Sequence, residues 1–503
     1  MGSMDQNQLH IFFFPFMAHG HMIPTVDMAK LFAFRGHKAT IITTPSNEPL
    51  ISKTIQRTKD MGFDINIQIL KFPSVEVGLP EGCDNIDFVL SLVENGMEMI
   101  IKFWLATGKL QEPLEKLLQE CNPNCLVADM FFPWTTDAAA KFGIPRLVFH
   151  GTSFFSLCAG ESIRLYQPHK KVSTDSESFV IPGLPGEIKI TRKQLPSFVR
   201  EEVQNDFTKI VKESKESELK SFGVVVNSFY ELEQAYADHY RNVLGRKAWH
   251  IGPVSICNRG MEDKTQRGKE ASIDEHECLK WLNSKKPNSV IYLCFGSVTN
   301  FTDSQLKEIA IALEAAGQKF IWVVRRNKNS EENEEEWLPE GFEKKMEGKG
   351  LIIRGWAPQV LILEHEAVGG FVTHCGWNST LEGVSAGKAM VTWPVGAEQF
   401  YNEKLMTEVL RIGIGVGAKE WVGFHGDYVK SEAIEKAISR VMEGEEAEEM
   451  RSRARRVMEG EEAEEMRSRA RRLGEMARQV VEEGGSSYSD FNALVQELRY
   501  YGP

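Results

Sequence analysis

Short runs of β-branched and aromatic residues alternate with longer amphipathic stretches through the first half of the chain: HIFFFPF, TVDMAKLFAFRG and KATIITTP, then CLVADMFF, AAAKFGIP and RLVFHG. Strands separated by helices in this way run parallel, because a parallel pair needs a helical crossover between its members. A second series of the same kind begins at SVIYLCFGS (289–297) and continues through KFIWVVR, GLIIRGW, GGFVTHCG and AMVTWPV. At 503 residues the chain exceeds one ordinary core, so two doubly wound α/β domains with parallel sheets, facing each other across a cleft, are expected. The expected boundaries are 1–252 for the first domain, 253–277 for a linker and 278–486 for the second, with a final helix at about 487–503 packing back on the first. The stretch NRGMEDKTQRGKEASIDEHE (258–277) is polar enough to predict a solvated connection.

The net charge of −12 disfavours a nucleic-acid surface, which needs clustered Lys and Arg. The eight cysteines lack CxxC spacing, so neither a zinc framework nor a disulfide scaffold is expected. The opening MGSMDQNQLHIFFFPF has no basic region leading into a secretory core, and no later segment is apolar for the roughly 18 residues a membrane span requires. A cytoplasmic monomer is the expectation.

One feature stands apart from the α/β rhythm. VMEGEEAEEMRSRARR occurs at 441–456 and again, unchanged, at 457–472. Sixteen helical residues turn through about 1600°, leaving a phase error near 160°, so one copy is expected to be surplus. Gly444 and Gly460 offer break points, and the extra piece is predicted to loop out on the surface with Glu449 and Arg453 paired.

The stretch FVTHCGWNSTLEG (371–383) reads as a strand, a tight turn and a helix start. That order presents free backbone N–H groups and the positive end of a helix dipole to the turn, where a phosphate fits. His374 can add a hydrogen bond or a positive charge, and Asn378 and Ser379 supply short polar groups. A capping box between Ser379 and Glu382 is the structural alternative; it leaves the His-Cys-Gly-Trp turn unexplained.

From Trp356 to Gln399 the sequence WAPQVLILEHEAVGGFVTHCGWNSTLEGVSAGKAMVTWPVGAEQ closely resembles the donor-binding signature of plant family-1 UDP-dependent glycosyltransferases, as do FFPFMAHGHMIPTVDMAKLF near the start and CFGS at 294–297. The resemblance implies a GT-B fold, with an N-terminal domain for the acceptor and a C-terminal one for the nucleotide sugar. It further implies that Trp356 stacks on uracil, Ala357 meets the uracil edge through its backbone, and Gln359 and Glu382 bind ribose. Ser297, His374, Asn378 and Ser379 would hold the diphosphate, and Trp377, Glu398 and Gln399 would face the sugar. Gln399 accompanies glucose in that family, whereas Glu398 stands where many relatives carry Asp.

Glycosyl transfer needs a base for the acceptor hydroxyl and stabilisation of the departing UDP. By the resemblance the base is His21, in His21-Met22-Ile23-Pro24, and Asp129 is the partner that fixes its tautomer. A neighbouring helix N-terminus is expected to help keep His21 neutral, with Pro24 early in that helix and His19 as a loop residue. Asp129 capping the following helix is the structural alternative. Metal binding by the His19–His21 pair lacks a third ligand, and no Asp-x-Asp occurs in the chain. The expectation is therefore metal-independent, inverting transfer of a sugar, glucose first, from a UDP-sugar to a small apolar plant metabolite, flavonoid, phenolic or triterpenoid. No cofactor is expected beyond the UDP-sugar co-substrate. Phe16, Met17, Phe131, Phe132, Phe154 and Phe155 are candidates to line the acceptor pocket. Two rivals are a nucleotide-sugar binder without turnover and, from GIGVGA (413–418), an NAD-dependent oxidoreductase, whose fingerprint here has the wrong element order.

Overall fold

A computed structural model describes residues 8–91, 96–201, 205–325, 337–442 and 453–501. Two parallel sheets carry the chain. The first is built from β1 (His10–Phe14), β2 (Lys38–Thr43), β3 (Ile65–Ile69), β4 (Cys125–Asp129), β5 (Arg146–Phe149), β8 (Gly223–Val226) and β9 (Ala248–His250), in the order β3-β2-β1-β4-β5-β8-β9. A small antiparallel hairpin, β6 (Ser178–Val180) and β7 (Lys189–Thr191), lies beside it in the chain. The second sheet uses β10 (Val290–Cys294), β11 (Lys319–Val324), β12 (Gly350–Arg354), β13 (Val368–Thr373), β14 (Ala389–Thr392) and β15 (Gly413–Gly415), in the order β12-β11-β10-β13-β14-β15. The central strands HIFFF and VGGFVT read as nearly continuous apolar runs because helices cover both faces of a parallel sheet and bury every position.

In each sheet the strand order reverses at one place, between β1 and β4 and again between β10 and β13. Registers there pair Phe14 with Ala128 and Cys294 with Thr373, so the carboxyl ends of the two strands lie side by side. Loops leaving those ends diverge to opposite faces and open a crevice, the place where α/β sheets bind ligands.

The helix Ser486–Tyr500 returns to the first sheet: Phe491, Leu494, Val495 and Leu498 are buried in its core beside β9. Burial of each such side chain stabilises the docking by roughly 1.5–3 kcal/mol.

Two expectations meet the structure only in part. The segment after residue 257 is largely exposed, as a solvated connection would be, but it is also anchored to the first domain. Its Asn258, Asp263 and Thr265 are buried, and Lys30, wholly buried in the first helix (His19–Phe34), donates to Asn258 Oδ1 at 2.7 Å and to Asp263 at 3.2 Å. Two of its charges, Asp263 and Arg267, pair with Lys30 and Asp27 buried in that helix, which composition alone does not reveal.

The second copy of the repeat is the packed one, and the expected looping-out of a surplus piece falls on the first copy, outside the described residues. A single helix runs Arg453–Gln479 straight through Gly460, and Ala463, Met466, Ala470 and Ala477 form its buried stripe. The preceding helix Ser431–Met442 buries Val441 and Met442, the first two residues of the first copy. Gly444, Glu449 and the expected Glu449–Arg453 pair lie outside what is described. One glycine costs a helix about 1 kcal/mol, less than the packing of this stripe supplies.

Candidate active site

The first helix begins at His19, directly after the β1 loop, so His19, Gly20 and His21 form its opening turn and Pro24 lies in the second turn. β4 ends at Asp129 beside it. His21 Nδ1 lies 2.6 Å from Asp129 Oδ2, and the other carboxylate oxygen accepts from Phe131 N at 3.0 Å. Asp129 therefore closes a tight turn and caps no helix. Its side chain is fully buried, and Arg146, also buried, donates to its main-chain oxygen at 2.9 Å. Burial opposes protonation of His21, but the Asp129 carboxylate more than offsets this, so its pKa lies above the usual histidine value. The direction is opposite to the one expected from the neighbouring helix terminus. His19 is no free loop residue: its Nδ1 and its N–H both meet Asp87 Oδ2. The two histidines thus take separate carboxylates and share no ligand position.

Across the cleft, β13 leads into a turn with Cys375 at φ 66° and then the helix Trp377–Ser385, capped by Gly376 without a side-chain bond. No capping box forms. The His-Cys-Gly-Trp turn has a steric explanation. A Cβ at Gly296 (φ 76°) would stand 2.5 Å from His374 Nε2, and one at Gly376 would also collide with that ring. Two glycines therefore make a slot for His374 between the β10 and β13 loops. Burial and then the Arg325 cation push the His374 pKa down to about 4. The imidazole is neutral, and the positive charge expected of it sits on Arg325, which donates to Ser297 O and lies 5.2 Å over the Trp356 ring.

Pro24 contributes in an unforeseen way. It has no N–H to give the carbonyl four residues earlier, and that carbonyl, Gly20 O, accepts from Asn378 Nδ2 at 2.5 Å. The histidine-bearing helix and the phosphate-type helix are thereby tied end to end.

Around this junction runs one cleft of about 1040 Å³. His21 and Ser297, Trp356, Ala357, Gln359, His374, Trp377, Asn378, Ser379, Glu382, Glu398 and Gln399 all line it, with Asp129 immediately behind His21. Gln359 Nε2 donates to Ser379 Oγ at 3.0 Å and to Glu382 Oε2 at 2.7 Å, joining the ribose and phosphate candidates. Trp377 is almost wholly buried and spends its indole N–H on Asn227 O at 2.7 Å, fixing this candidate for the sugar side to the first domain. Gln399 Oε1 accepts from Val395 N and Gly396 N, both at 2.8 Å, and Glu398, pushed up by burial, accepts from Asn402 at 3.1 Å.

Among the acceptor-side candidates, Phe16 and Phe131 line the cleft. Met17, Phe132, Phe154 and Phe155 do not; they are core residues, Phe132 stacked on Phe14 and Phe154 and Phe155 packed edge-on against Tyr240 and Tyr236. Alternation along a chain cannot say which side of an apolar run meets a cavity. The remaining aromatic wall comes from Trp104, Phe198 and Phe207, far apart in sequence. Arg325 was equally missed, its only signal being a cation directly after the apolar strand KFIWVV. GIGVGA contributes the edge strand β15, followed by a loop, so no helix N-terminus follows the glycines as a dinucleotide fingerprint requires. Among the described residues, no group of three metal-type ligands is assembled and no helix is long and apolar enough to cross a membrane.

The sequence pattern of the family described as UDP-glucoronosyl and UDP-glucosyl transferase matches residues 118–450. The chain is 59% identical to scopoletin glucosyltransferase of Nicotiana tabacum over 98% of both chains. It is 57% identical to UDP-glucose flavonoid 3-O-glucosyltransferase 7 of Fragaria ananassa, over 99% of this chain and 98% of the other. Its fold matches the crystal structure of Glycyrrhiza uralensis UGT73P12 complexed with glycyrrhetinic acid 3-O-monoglucuronide with a TM-score of 0.88, at 41% identity over 98% of this chain and 96% of that one.

Proposed function

The chain belongs to the UDP-glucoronosyl and UDP-glucosyl transferase family, and from that premise we propose that it transfers glucose from UDP-glucose to a phenolic hydroxyl of a planar aglycone, with His21 as the base. The observation that carries this reading is the His21–Asp129 pair, 2.6 Å apart, at the edge of the same cleft that Trp356, His374, Asn378 and Gln399 line.

Asp129 engages Nδ1, which leaves Nε2 to accept the acceptor's proton. The acceptor oxygen forms a bond to the anomeric carbon as the bond from that carbon to the β-phosphate oxygen breaks, and the electron pair leaves with UDP. In-line attack inverts the α-linkage of the donor to a β-glucoside. The proton rests on His21, whose imidazolium faces Asp129, as in the hydrolase triads. The developing diphosphate charge meets the N–H groups at the start of the helix Trp377–Ser385, Ser297, and the nearby Arg325 cation. Neutral His374 supplies a hydrogen bond rather than a charge.

The phenolic class rests on the aromatic wall of Phe16, Trp104, Phe131, Phe198 and Phe207, which suits a flat ring system, and on the scopoletin and flavonoid transferases to which the chain is similar. A triterpenoid acceptor is the second reading, favoured by the likeness to the Glycyrrhiza uralensis protein with its bound triterpenoid glucuronide. The test is a mass-spectrometric screen of a hydroxycoumarin, a flavonol and a triterpenoid with UDP-glucose, UDP-galactose and UDP-glucuronic acid, alongside His21→Ala. The expected result is one hexose added to the phenolics from UDP-glucose, lost in His21→Ala while UDP affinity measured by calorimetry stays within about twofold. Unchanged transfer by the variant, or no heat with UDP, overturns the reading.

A further inference from the structure

The segment 266–272 wraps the nucleotide tryptophan. Ser272 N donates to Trp356 O at 2.8 Å, and Trp356 N donates to Ser272 Oγ at 2.9 Å. Gly268, at φ +91°, lies so close that a Cβ there would meet Trp356 Cζ2 at 2.6 Å and Ile23 Cδ1 at 3.0 Å. This close approach delivers the preceding residue, Arg267, between two buried carboxylates on facing helices. Its Nε donates to Asp27 Oδ2 at 2.8 Å, six residues after His21 on the first helix, and its Nη1 donates to Glu382 Oε1. The guanidinium is only 11% exposed and lines the cleft. Burial works against its charge, but the Asp27 and Glu382 carboxylates more than offset that and hold its pKa above the ordinary arginine range.

From this geometry we infer that Arg267 is a positioning residue of the ribose subsite, orienting the Glu382 carboxylate toward the sugar hydroxyls of the nucleotide. The inference rests on the reading of Glu382 as a ribose ligand. Each carboxylate oxygen offers two lone-pair directions. Arg267 takes one on Oε1 and Gln359 takes one on Oε2, which leaves one on each oxygen for the vicinal 2′ and 3′ hydroxyls. A fork anchored at Asp27 fixes the plane of the carboxylate before the nucleotide arrives. Hydroxyl recognition then needs no side-chain reorganisation, and it is coupled to the helix that carries His21.

The experiment compares calorimetric affinities for UDP and 2′-deoxy-UDP in the full-length protein and in Arg267→Gln. The wild-type protein should prefer UDP by about tenfold or more, the size of one hydrogen bond to a charged group. Arg267→Gln should bring that preference close to one while leaving 2′-deoxy-UDP affinity within about threefold, and Arg267→Lys should restore part of it. A parallel fall in both affinities, with the preference intact, overturns the inference and leaves Arg267 a structural tie between helices. Removing Arg267 leaves two buried carboxylates without their partner, which threatens folding. The double variant Asp27→Asn with Arg267→Gln relieves one of them and should show the same loss of preference. Absence of any preference in the wild-type protein overturns instead the ribose reading of Glu382, and the inference with it.

Discussion

Replacing Asp129 by Asn removes, with little change of shape, both the charge behind the proposed base and the acceptor that fixes its tautomer. The two side chains have nearly the same shape, and the bond from Phe131 N to the side-chain oxygen at 3.0 Å can persist. What disappears is a buried negative charge 2.6 Å from His21 Nδ1. A carboxylate and an imidazolium whose charge centres lie about 4 Å apart attract by roughly 4 kcal/mol at an effective dielectric of 20. That stabilisation is realised only once the proton has moved to His21, so its loss should lower kcat about a thousandfold. The pH profile gives a second, independent readout. Asp129 is what lifts the His21 pKa above the usual value against the opposing effect of burial. With it gone, the acid limb of kcat/KM, where the base becomes protonated, should move to lower pH even as the plateau drops. The sign for stability follows from the same shift. A raised pKa means the folded state binds the proton more tightly, so the pair stabilises fully below the unfolded histidine value and the contribution fades as pH rises through the folded one. The variant's stability deficit should therefore be larger at pH 5.5 than at pH 9, by chemical denaturation. Initial rates from pH 5.5 to 9, with UDP calorimetry to show that donor binding stays within about twofold, form the assay. A fall in kcat of less than tenfold, or an acid limb that stays in place, would refute the assignment of Asp129.

Trp356→Ala should weaken UDP binding by about 1–3 kcal/mol, or roughly 5- to 150-fold, by the loss of base stacking; calorimetry checks it, and an unchanged affinity would remove uracil from that site. Gly268→Ala should cost about 1–3 kcal/mol in chemical denaturation, because φ +91° strains any Cβ-bearing residue and the new atom meets Trp356, and it should also lower UDP affinity. Deleting one sixteen-residue copy leaves the same sequence whichever copy is removed. It retains both the Val441–Met442 end of one packed helix and the Ala463–Met466–Ala470 stripe of the other. Arg440 already lies 3.0 Å from Glu462, so the shortened connection EGEE should close with no loss of melting temperature or transferase activity.

Much of this protein is legible in one dimension because its information is local. The period of apolar runs identifies parallel strands with helical crossovers, since a strand buried on both faces must be apolar throughout. The turn at His374 and the start of the helix after it are equally local, as backbone amides at a helix terminus need no distant partner to attract an anion. The acceptor wall is different. Phe16 and Phe132 look alike in sequence, yet Phe16 borders the cleft whereas Phe132 stacks on Phe14, and only the packing of other segments decides between them. The protonation states of the histidines were likewise out of reach. Burial beside Arg325 neutralises His374, and Asp129 raises His21, through neighbours brought from other parts of the chain.

By itself, then, the amino-acid order determined the βαβ rhythm and the signature from Trp356 to Gln399 by which the family is recognised, and it carries the motif from which His21 is proposed as the base, because each is written in residues close together in the chain. Tertiary structure decided the rest: that a polar connection threads Arg267 between Asp27 and Glu382, that the carbonyl freed by Pro24 clasps Asn378, and that the second copy of the repeat is packed. Those outcomes depend on charges and surfaces separated by tens to hundreds of residues, whose pairing is settled by desolvation in the folded interior rather than by local periodicity.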